Sequence, residues 1–167
     1  GKMDAIGFNL QNEAYLETLS QDVIKSSEIE GEILDTQQVR SSIARKLGIN
    51  IGGLVDSERD VEGIVEMMMD ATQNYKSELN EERLYGWHSA LFPTGRSGMH
   101  KIIVGNWRDD STGPMQVVSG PLGKETVHFE APAATMLQNE MQQFLHWINS
   151  PNAYDPVINA AISHLWF

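Results

Sequence analysis

The sequence contains no cysteine and no apolar run long enough to cross a membrane. The first absence excludes disulfides, thiolate metal sites and cysteine nucleophiles, and it is compatible with a reducing cytoplasm. The chain starts with Gly1-Lys2-Met3-Asp4, which lacks the character of a signal peptide. We therefore expect a cytoplasmic protein with no membrane partner.

Basic residues are also scarce. The sequence has 12 Lys and Arg residues against 23 Asp and Glu residues, which gives a formal net charge of −11. A surface this acidic repels the nucleic-acid backbone, so we expect no nucleic-acid partner. A loose basic cluster is formed by Arg96, His100, Lys101 and Arg108. It is either a local contact for an anion or a partner, or a set of solvated loop charges.

The length of 167 residues, 41% of them hydrophobic, fits one globular domain with a real core. The glutamates do not form the paired Glu-x-x-His pattern of carboxylate-bridged metal bundles. His88 has no second ligand near it in the sequence, so a core or interface histidine is the better interpretation. We predict no metal site in this chain.

Apolar residues recur at helical spacing along most of the chain. Helices are predicted over residues 11–30, from Asp35 to Gly48, from Asp56 or Ser57 to about Tyr75, from Asn80 to Leu91, from about Pro132 to Asn149, and from Asp155 onward. Asp35 is a candidate N-cap, with Gln38 in the reciprocal position of a capping box. The pattern predicts a mainly α fold.

The middle of the second half has a different character. Residues 102–104 and 115–118 are β-prone, and the turn-rich segment between them predicts a β-hairpin or a pair of short strands. A third β-prone run covers residues 126–129. An isolated hairpin is marginal in water, so this one must pack on the helices or be free to pair with something else.

The last predicted helix places Val157, Ala160, Ala161 and Leu165 on one face. It reaches Phe167 without a cap, a glycine or a polar tail. We expect the chain to be cut short at this point.

A short motif lies near the end of the first predicted helix. Ser26 and Glu30 are four residues apart, which places them on one helix face, and Gly31 follows directly. These residues alone are compatible with two interpretations. They are either a polar helix end with a glycine stop, or a device in which the glycine lets another group approach the backbone.

The order of the pieces resembles a Fic-domain protein over nearly the whole chain, from about Leu16 to Phe167. The resemblance rests on Ser-Ser-Glu-Ile-Glu-Gly at residues 26–31, Gly-Asn-Trp-Arg at 105–108, Trp-Ile-Asn at 147–149 and the closing Ala-Ala-Ile-Ser-His-Leu-Trp-Phe. It is closest to the bacterial proteins whose inhibitory helix precedes the Fic core. Such proteins are helical with a β-hairpin "flap", and they transfer AMP from ATP, with a divalent metal such as Mg, to a hydroxyl side chain of a target protein.

The resemblance implies a role for each part of the chain. Residues 1–34 would form an N-terminal helical segment with the inhibitory motif Ser26, Glu30 and Gly31, in which Glu30 pairs with an arginine of the catalytic motif and blocks the place of the ATP γ-phosphate. Residues 35–167 would form the helical core, with the flap at about 102–129. The flap strand Met115, Gln116, Val117 and Val118 would pair with the backbone of the target protein. A homodimer is also allowed.

One part of the family pattern is missing. The signature His-Pro-Phe, two residues, Gly-Asn-Gly-Arg supplies the catalytic base, the metal-binding acid and the phosphate-binding arginines, and nothing in this sequence matches it. We therefore assign no catalytic residue to this chain, and we expect it to be inactive alone and to bind ATP and Mg weakly. The alternative is a non-catalytic helical binding or regulatory module that acts on a separate catalytic chain.

Overall fold

A computed structural model of the protein describes residues 2–121, 123–151 and 154–167, with side chains from Leu10 onward. The predicted mainly α fold with a small hairpin is confirmed: six helices and two antiparallel strand pairs are present in these residues. Their bounds are α1 Lys2–Ile29, α2 Thr36–Leu47, α3 Arg59–Gln73, α4 Glu81–Leu91, β1 Arg96–Ser97, β2 His100–Lys101, β3 Gln116–Ser119, β4 Thr126–Glu130, α5 Ala134–Asn149 and α6 Pro156–Trp166.

The chain divides into two compact units. Unit 1 comprises Gly1–Ser77 and Gly86–Ile102, and unit 2 comprises Glu78–Tyr85 and Ile103–Phe167. Helix α4 therefore contributes its start to unit 2 and its end to unit 1. Of the helices described, none is both long and apolar enough to traverse a bilayer.

Three helices of unit 1 share one apolar core. Its buried members are Leu16, Leu19 and Val23 of α1, Val39, Ile43 and Ala44 of α2, and Val61, Val65 and Met69 of α3. Within each helix these residues lie three or four positions apart, or adjacent to such a position, which is the spacing that predicted the helices. Helix α1 begins at Lys2, whereas the apolar pattern had predicted a start at residue 11.

Both ends of α2 carry the signals that the sequence predicted. A side-chain oxygen of Asp35 accepts a hydrogen bond from the Gln38 amide at 2.9 Å, and Gly48 closes the helix with a φ of 66°. The prediction that the Gln38 side chain completes the capping box is wrong. The Gln38 side chain instead accepts a hydrogen bond from the Glu58 amide at 2.8 Å, because the loop before α3 returns to the start of α2.

That loop, residues 48–58, is held against α2 by polar contacts. The Arg45 guanidinium donates to the Val55 carbonyl oxygen at 2.7 Å, to the Ser57 hydroxyl, and to Glu62 Oε1 at 2.9 Å. The Val55 amide donates to Ser41 Oγ at 3.0 Å. Helix α3 consequently begins at Arg59, a few residues later than predicted.

Helices α3 and α4 approach each other closely within unit 1. Gly63 of α3 is buried, and a Cβ built on it would lie 1.9 Å from the carbonyl oxygen of Ala90. The Trp87 indole Nε1–H donates to Asp70 Oδ2 at 2.8 Å. Neither contact can be predicted from the sequence, because both depend on which helices become neighbours.

In unit 2, the start of α5 is capped from a distant loop. Ala134 begins the helix, two residues beyond Pro132, and its amide donates to Asp110 Oδ2 at 2.8 Å. Arg108 Nη1 donates to the other oxygen of Asp110 at 2.9 Å and Nη2 to the Pro132 carbonyl oxygen. Arg108, the last residue of the Gly-Asn-Trp-Arg segment, thus helps to hold the start of α5.

Four aromatic rings join the end of α6 to α5. The ring centroids of Phe144 and Trp166 are 5.8 Å apart, those of Phe144 and Phe167 are 5.7 Å apart, and those of Trp147 and Trp166 are 5.5 Å apart. Phe144 is the buried member.

The predicted apolar face of α6 is not covered by any described residue. Val157 is 74% exposed and Leu165 is 85% exposed, and Ala160 and Ala161 are also exposed. The helical spacing was read correctly, but only the aromatic end of the helix packs on α5.

The strand pairing differs from the prediction in one respect. Residues 102–104 form no strand, and β3 pairs instead with β4, the third β-prone run. The apolar run at 102–104 therefore failed as a strand signal. A second, two-residue ladder between β1 and β2 lies in residues 93–101, where only turns were expected.

Candidate functional site

The predicted inhibitory motif lies where α1 ends. Ile29 is the last helical residue, so Glu30 is the capping residue and Gly31 follows it with a left-handed φ of 85°. The Glu32 amide donates to the Ser27 carbonyl oxygen at 2.9 Å, and the Gly31 amide donates to the Glu28 carbonyl oxygen at 3.1 Å. These two bonds are the Schellman arrangement, which a residue with positive φ makes accessible and which favours glycine.

The charge at this helix end is negative throughout. Glu28, Glu30 and Glu32 are all exposed, and the last turn of α1 has no basic residue. Lys25 pairs with Glu28 at 2.6 Å. The Glu30 side chain has no ion pair or hydrogen bond to any described residue, although the free carbonyls of a helix end favour a positive charge.

Ser26 lies on the last turn of α1, four residues before Glu30. Its side chain is exposed and makes no hydrogen bond within the part of the chain that the structure describes. By contrast, Ser20 is buried and donates to the Leu16 carbonyl oxygen at 2.7 Å. Ser26 and Glu30 are therefore both free to contact a partner.

The predicted flap strand forms one half of a two-stranded sheet in unit 2. Gln116 pairs with Glu130 and Val117 with Phe129, after which the register shifts so that Val118 pairs with Val127. This β-bulge lies between Val117 and Val118. Met115 lies directly before the strand, and its carbonyl oxygen accepts a hydrogen bond from the Ala131 amide at 2.9 Å, which extends the ladder by one pair.

Side chains hold the two strands together at both ends of the ladder. Gln116 Nε2 donates to Glu130 Oε2 at 2.7 Å, and Ser119 Oγ and His128 Nε2 lie 2.6 Å apart. In the turn, the Gly123 amide donates to Glu125 Oε1 at 2.7 Å. That bond holds the pKa of Glu125 below its usual value.

The hairpin has exposed side chains on both strands, and the outer edges of β3 and β4 are both unpaired among the described strands. In the described part of the chain, the outer edge of β3 pairs with no other strand. Val117 is 58% exposed, Phe129 is 59% exposed, and Met115, Val118 and Val127 are also exposed. Strand β3 carries no charged residue, so nothing on it opposes pairing with another extended segment.

The loose basic cluster does not act as one group of free charges. Arg108 is engaged by Asp110 and the Pro132 carbonyl oxygen in unit 2. Arg96 lies in unit 1 and donates to the Met99 carbonyl oxygen at 2.7 Å. Both guanidiniums are thus used in structural contacts within their own units, which neither interpretation of the cluster predicted.

The described residues do not supply a site that fits ATP and Mg. Among them, no three acidic or histidine side chains come together in an arrangement that could hold a metal ion. Arg45 and Arg108, which could offer a fork to phosphate, are each committed to a carboxylate.

The comparisons with known proteins cover only the start of the chain. A family model described as a domain of unknown function, DUF4172, matches residues 1–49. These residues contain α1, the motif with Glu30, and α2 up to its closing glycine. A comparison with curated proteins finds no match. The matched family thus recognises the pair of helices that carries the motif and assigns no activity to it.

Proposed function

We propose that this chain is the regulatory and target-docking part of a Fic-type protein AMP-transferase, in which AMP passes from ATP to a Ser, Thr or Tyr hydroxyl of a target protein. The single observation that carries the proposal is the Glu30 carboxylate. It is exposed, it stands at the negative end of a 28-residue helix, and it has no ion pair to any described residue.

The electrostatics of Glu30 favour a cationic partner. A carboxylate at a helix C-terminus is disfavoured by about 0.3–1 kcal/mol. A guanidinium would relieve that repulsion and could accept the carboxylate in a bidentate pair. An arginine so engaged is no longer free for phosphate, and this competition is how Glu30 would hold the enzyme inactive.

The hairpin of unit 2 supports the second half of the proposal. An uncharged strand with a free edge can accept an extended segment of another protein through main-chain hydrogen bonds. Met115, Gln116, Val117 and Val118 would provide that edge. Main-chain pairing fixes the register of the bound segment, so it would place an acceptor hydroxyl at a constant position along the flap.

The catalytic base, the metal-binding acid and the phosphate-binding arginines would have to come from a sequence other than the one described. The nucleotide supplies the activated phosphate when it is bound there. The residues of this chain then have two tasks, which are to withhold an arginine and to hold the target backbone. The 167-residue chain alone is expected to transfer nothing.

The decisive experiment uses the protein with the His-Pro-Phe motif that the proposal requires downstream in the same reading frame. Glu30→Gly should raise AMP transfer to the protein itself or to targets, measured with labelled ATP and magnesium, because the arginine is released. The matched control is Glu32→Gly, which removes an equally exposed carboxylate two residues away. The control should leave transfer at the wild-type level. Absence of transfer by the Glu30→Gly protein would falsify the proposed activity.

A second candidate function is favoured by the limited extent of the family match. The matched family model covers residues 1–49, which are the helix pair that carries Glu30. Such a segment could act on a separate catalytic chain. A natural stop codon directly after Phe167 would favour this binding module, and a His-Pro-Phe motif in frame would favour the enzyme.

A further inference from the structure

One hydroxyl of the hairpin contacts an imidazole. Ser119 Oγ lies 2.6 Å from His128 Nε2, and both side chains are exposed. A neutral imidazole nitrogen can take up a hydroxyl proton near neutral pH, whereas a main-chain carbonyl oxygen cannot. Six other hydroxyls of the described chain donate to main-chain carbonyl oxygens, and they belong to Thr18, Ser20, Ser57, Thr72, Ser150 and Ser163.

The β-bulge is what brings the two side chains together. Val118 pairs with Val127 and Ser119 with Thr126, so His128 is the extra residue of β4. Neighbouring residues of a strand alternate between its two faces. Without the register shift, His128 would pair with Val118 and would lie on the face opposite to Ser119. Bulges often redirect a side chain in this way beside a functional site.

We infer that Ser119 and His128 form a nucleophile and base pair, and that Ser119 is a modification site that accepts a phosphoryl group from an activated donor such as a phosphoric anhydride. The inference goes beyond the proposed function and does not depend on it, because it concerns the reactivity of one hydroxyl of the 167-residue chain.

The transfer would proceed by displacement at phosphorus. Ser119 Oγ forms a bond to the phosphorus of the donor, and the bond between that phosphorus and its leaving group breaks. The hydroxyl proton passes to His128 Nε2, which requires the tautomer that carries its ring proton on Nδ1. The product is a phosphate ester on Ser119 and a protonated imidazole beside it.

The charge of the turn favours an anionic phosphoryl group over a neutral acyl group. Lys124 is exposed and has no ion pair to any described residue. A Cβ built on Gly120 would lie 2.8 Å from the Lys124 carbonyl oxygen, so Lys124 is adjacent to the residue that follows Ser119. The hairpin carboxylates of Glu125 and Glu130 each accept a hydrogen bond within it. The unpaired charge of the turn is therefore positive, and it would stabilise a phosphate ester.

The same unit contains a matched control hydroxyl. Ser111 is exposed, and its hydroxyl donates to Asp109 Oδ1 at 2.5 Å. The hydrogen bonds from Ser111 hold the pKa of Asp109 below its usual value. This carboxylate is therefore a much weaker base than an imidazole. Ser111 thus matches Ser119 in exposure and in having a side-chain partner, but it lacks an effective base.

The test labels the 167-residue chain with a fluorophosphonate, whose phosphorus bonds to a serine oxygen with release of fluoride. Peptide mass spectrometry follows the label on each serine over time. Ser119 should react at least about tenfold faster than Ser111, because a well-positioned general base contributes about 100-fold or more. Ser119→Ala should leave the label on Ser111 unchanged. Equal rates at the two serines would overturn the inference.

Two substitutions separate a base from a structural contact. His128→Gln retains an amide that can form a hydrogen bond but takes up no proton at neutral pH, and His128→Ala removes both properties. Each should lower the rate at Ser119 to the rate at Ser111. A wild-type rate at Ser119 in either variant would overturn the pair.

Imidazole added to the His128→Ala chain should raise the rate at Ser119 more than the rate at Ser111, because it replaces the missing base. No such recovery would mean that His128 acts through structure alone, which overturns its role as a base. In urea the bulge is lost, so Ser119 should react no faster than Ser111. An advantage of Ser119 that persists in urea would overturn the role of the bulge.

Discussion

The two units of the chain use their apolar residues in opposite ways. In unit 1, nine apolar side chains from three helices form a closed core. In unit 2, Phe144 is the buried apolar side chain among those described, while Val117, Phe129 and Leu165 are at least half exposed. The apolar core side chains of unit 1 pack against one another and stabilise that unit. Many apolar side chains of unit 2 are exposed and are available for contact.

This difference separates the residues that hold the fold from those that serve binding. Substitutions in the unit 1 core should act on the free energy of unfolding. Substitutions in the hairpin or on the exposed apolar face of α6 should leave stability nearly unchanged and act on association.

Ile43→Ala should produce the largest loss of stability. Ile43 is fully buried, and truncation of a buried isoleucine costs about 2–5 kcal/mol. The matched substitution in unit 2 is Leu165→Ala. Leu165 is 85% exposed, so this change should stay within about 0.5 kcal/mol. Urea unfolding followed by circular dichroism measures both.

Equal losses in the free energy of unfolding for Ile43→Ala and Leu165→Ala would contradict this difference between the two units. Such a result would mean that the α6 face is covered in solution. A change in the midpoint without a change in the slope of the urea curve would identify a true stability effect.

Gly63→Ala should destabilise unit 1 through a clash rather than a cavity. The added Cβ would lie 1.9 Å from the Ala90 carbonyl oxygen, so α3 and α4 must separate, at a cost of about 1–3 kcal/mol or more. Gly86→Ala is the control, because a Cβ at Gly86 of α4 meets nothing within 4 Å. Alanine is the better helix former by about 0.5–1 kcal/mol, so the melting temperature of this variant should rise.

A smaller effect is expected from the ion pair that ties α2 to α3. Burial raises the pKa of Glu62, but the hydrogen bond from Arg45 and the charge of Lys46 outweigh it, and the net shift is downward. A lowered pKa in the folded state adds stability above the unfolded value, near 4.5. That contribution is lost as the pH falls through the folded pKa.

Glu62→Gln should therefore flatten the fall in stability below about pH 4.5, measured by urea unfolding across a pH series. The pair is more than one-third exposed, so its coupling at pH 7 should be no more than about 1 kcal/mol. A double-mutant cycle with Arg45→Met isolates that coupling. An unchanged pH profile in Glu62→Gln would show that other carboxylates dominate acid unfolding.

The helices of unit 1 could be predicted because their signals are local. The spacing of Val39 and Ile43, the Asp35 cap and the Gly48 stop each act within one or two turns. The existence and type of the helices followed from these signals. The starts of α1 and α3 did not, because propensity near a helix end is easily overridden by the loop that joins it.

The contacts that depend on pairing could not be predicted. Residues 102–104 and 126–129 had similar β-prone composition, and only the second run pairs with β3. Gly63 is ordinary in sequence, and its importance depends on Ala90 becoming its neighbour. The exposure of Ile29 and Ile33 could not be predicted for the same reason, because it depends on which surfaces the other helices cover.

The left-handed conformation at Gly31 explains why the motif has the form it does. A φ of 85° at Gly31 is a backbone conformation that glycine adopts freely and that asparagine also tolerates. The residue after the glutamate is thus required for its backbone conformation and not for a side-chain group. It sets the residue at which the chain turns away from the helix axis, and so how far beyond the last turn the carboxylate can reach. The three-residue pattern consists of two side chains and one backbone angle.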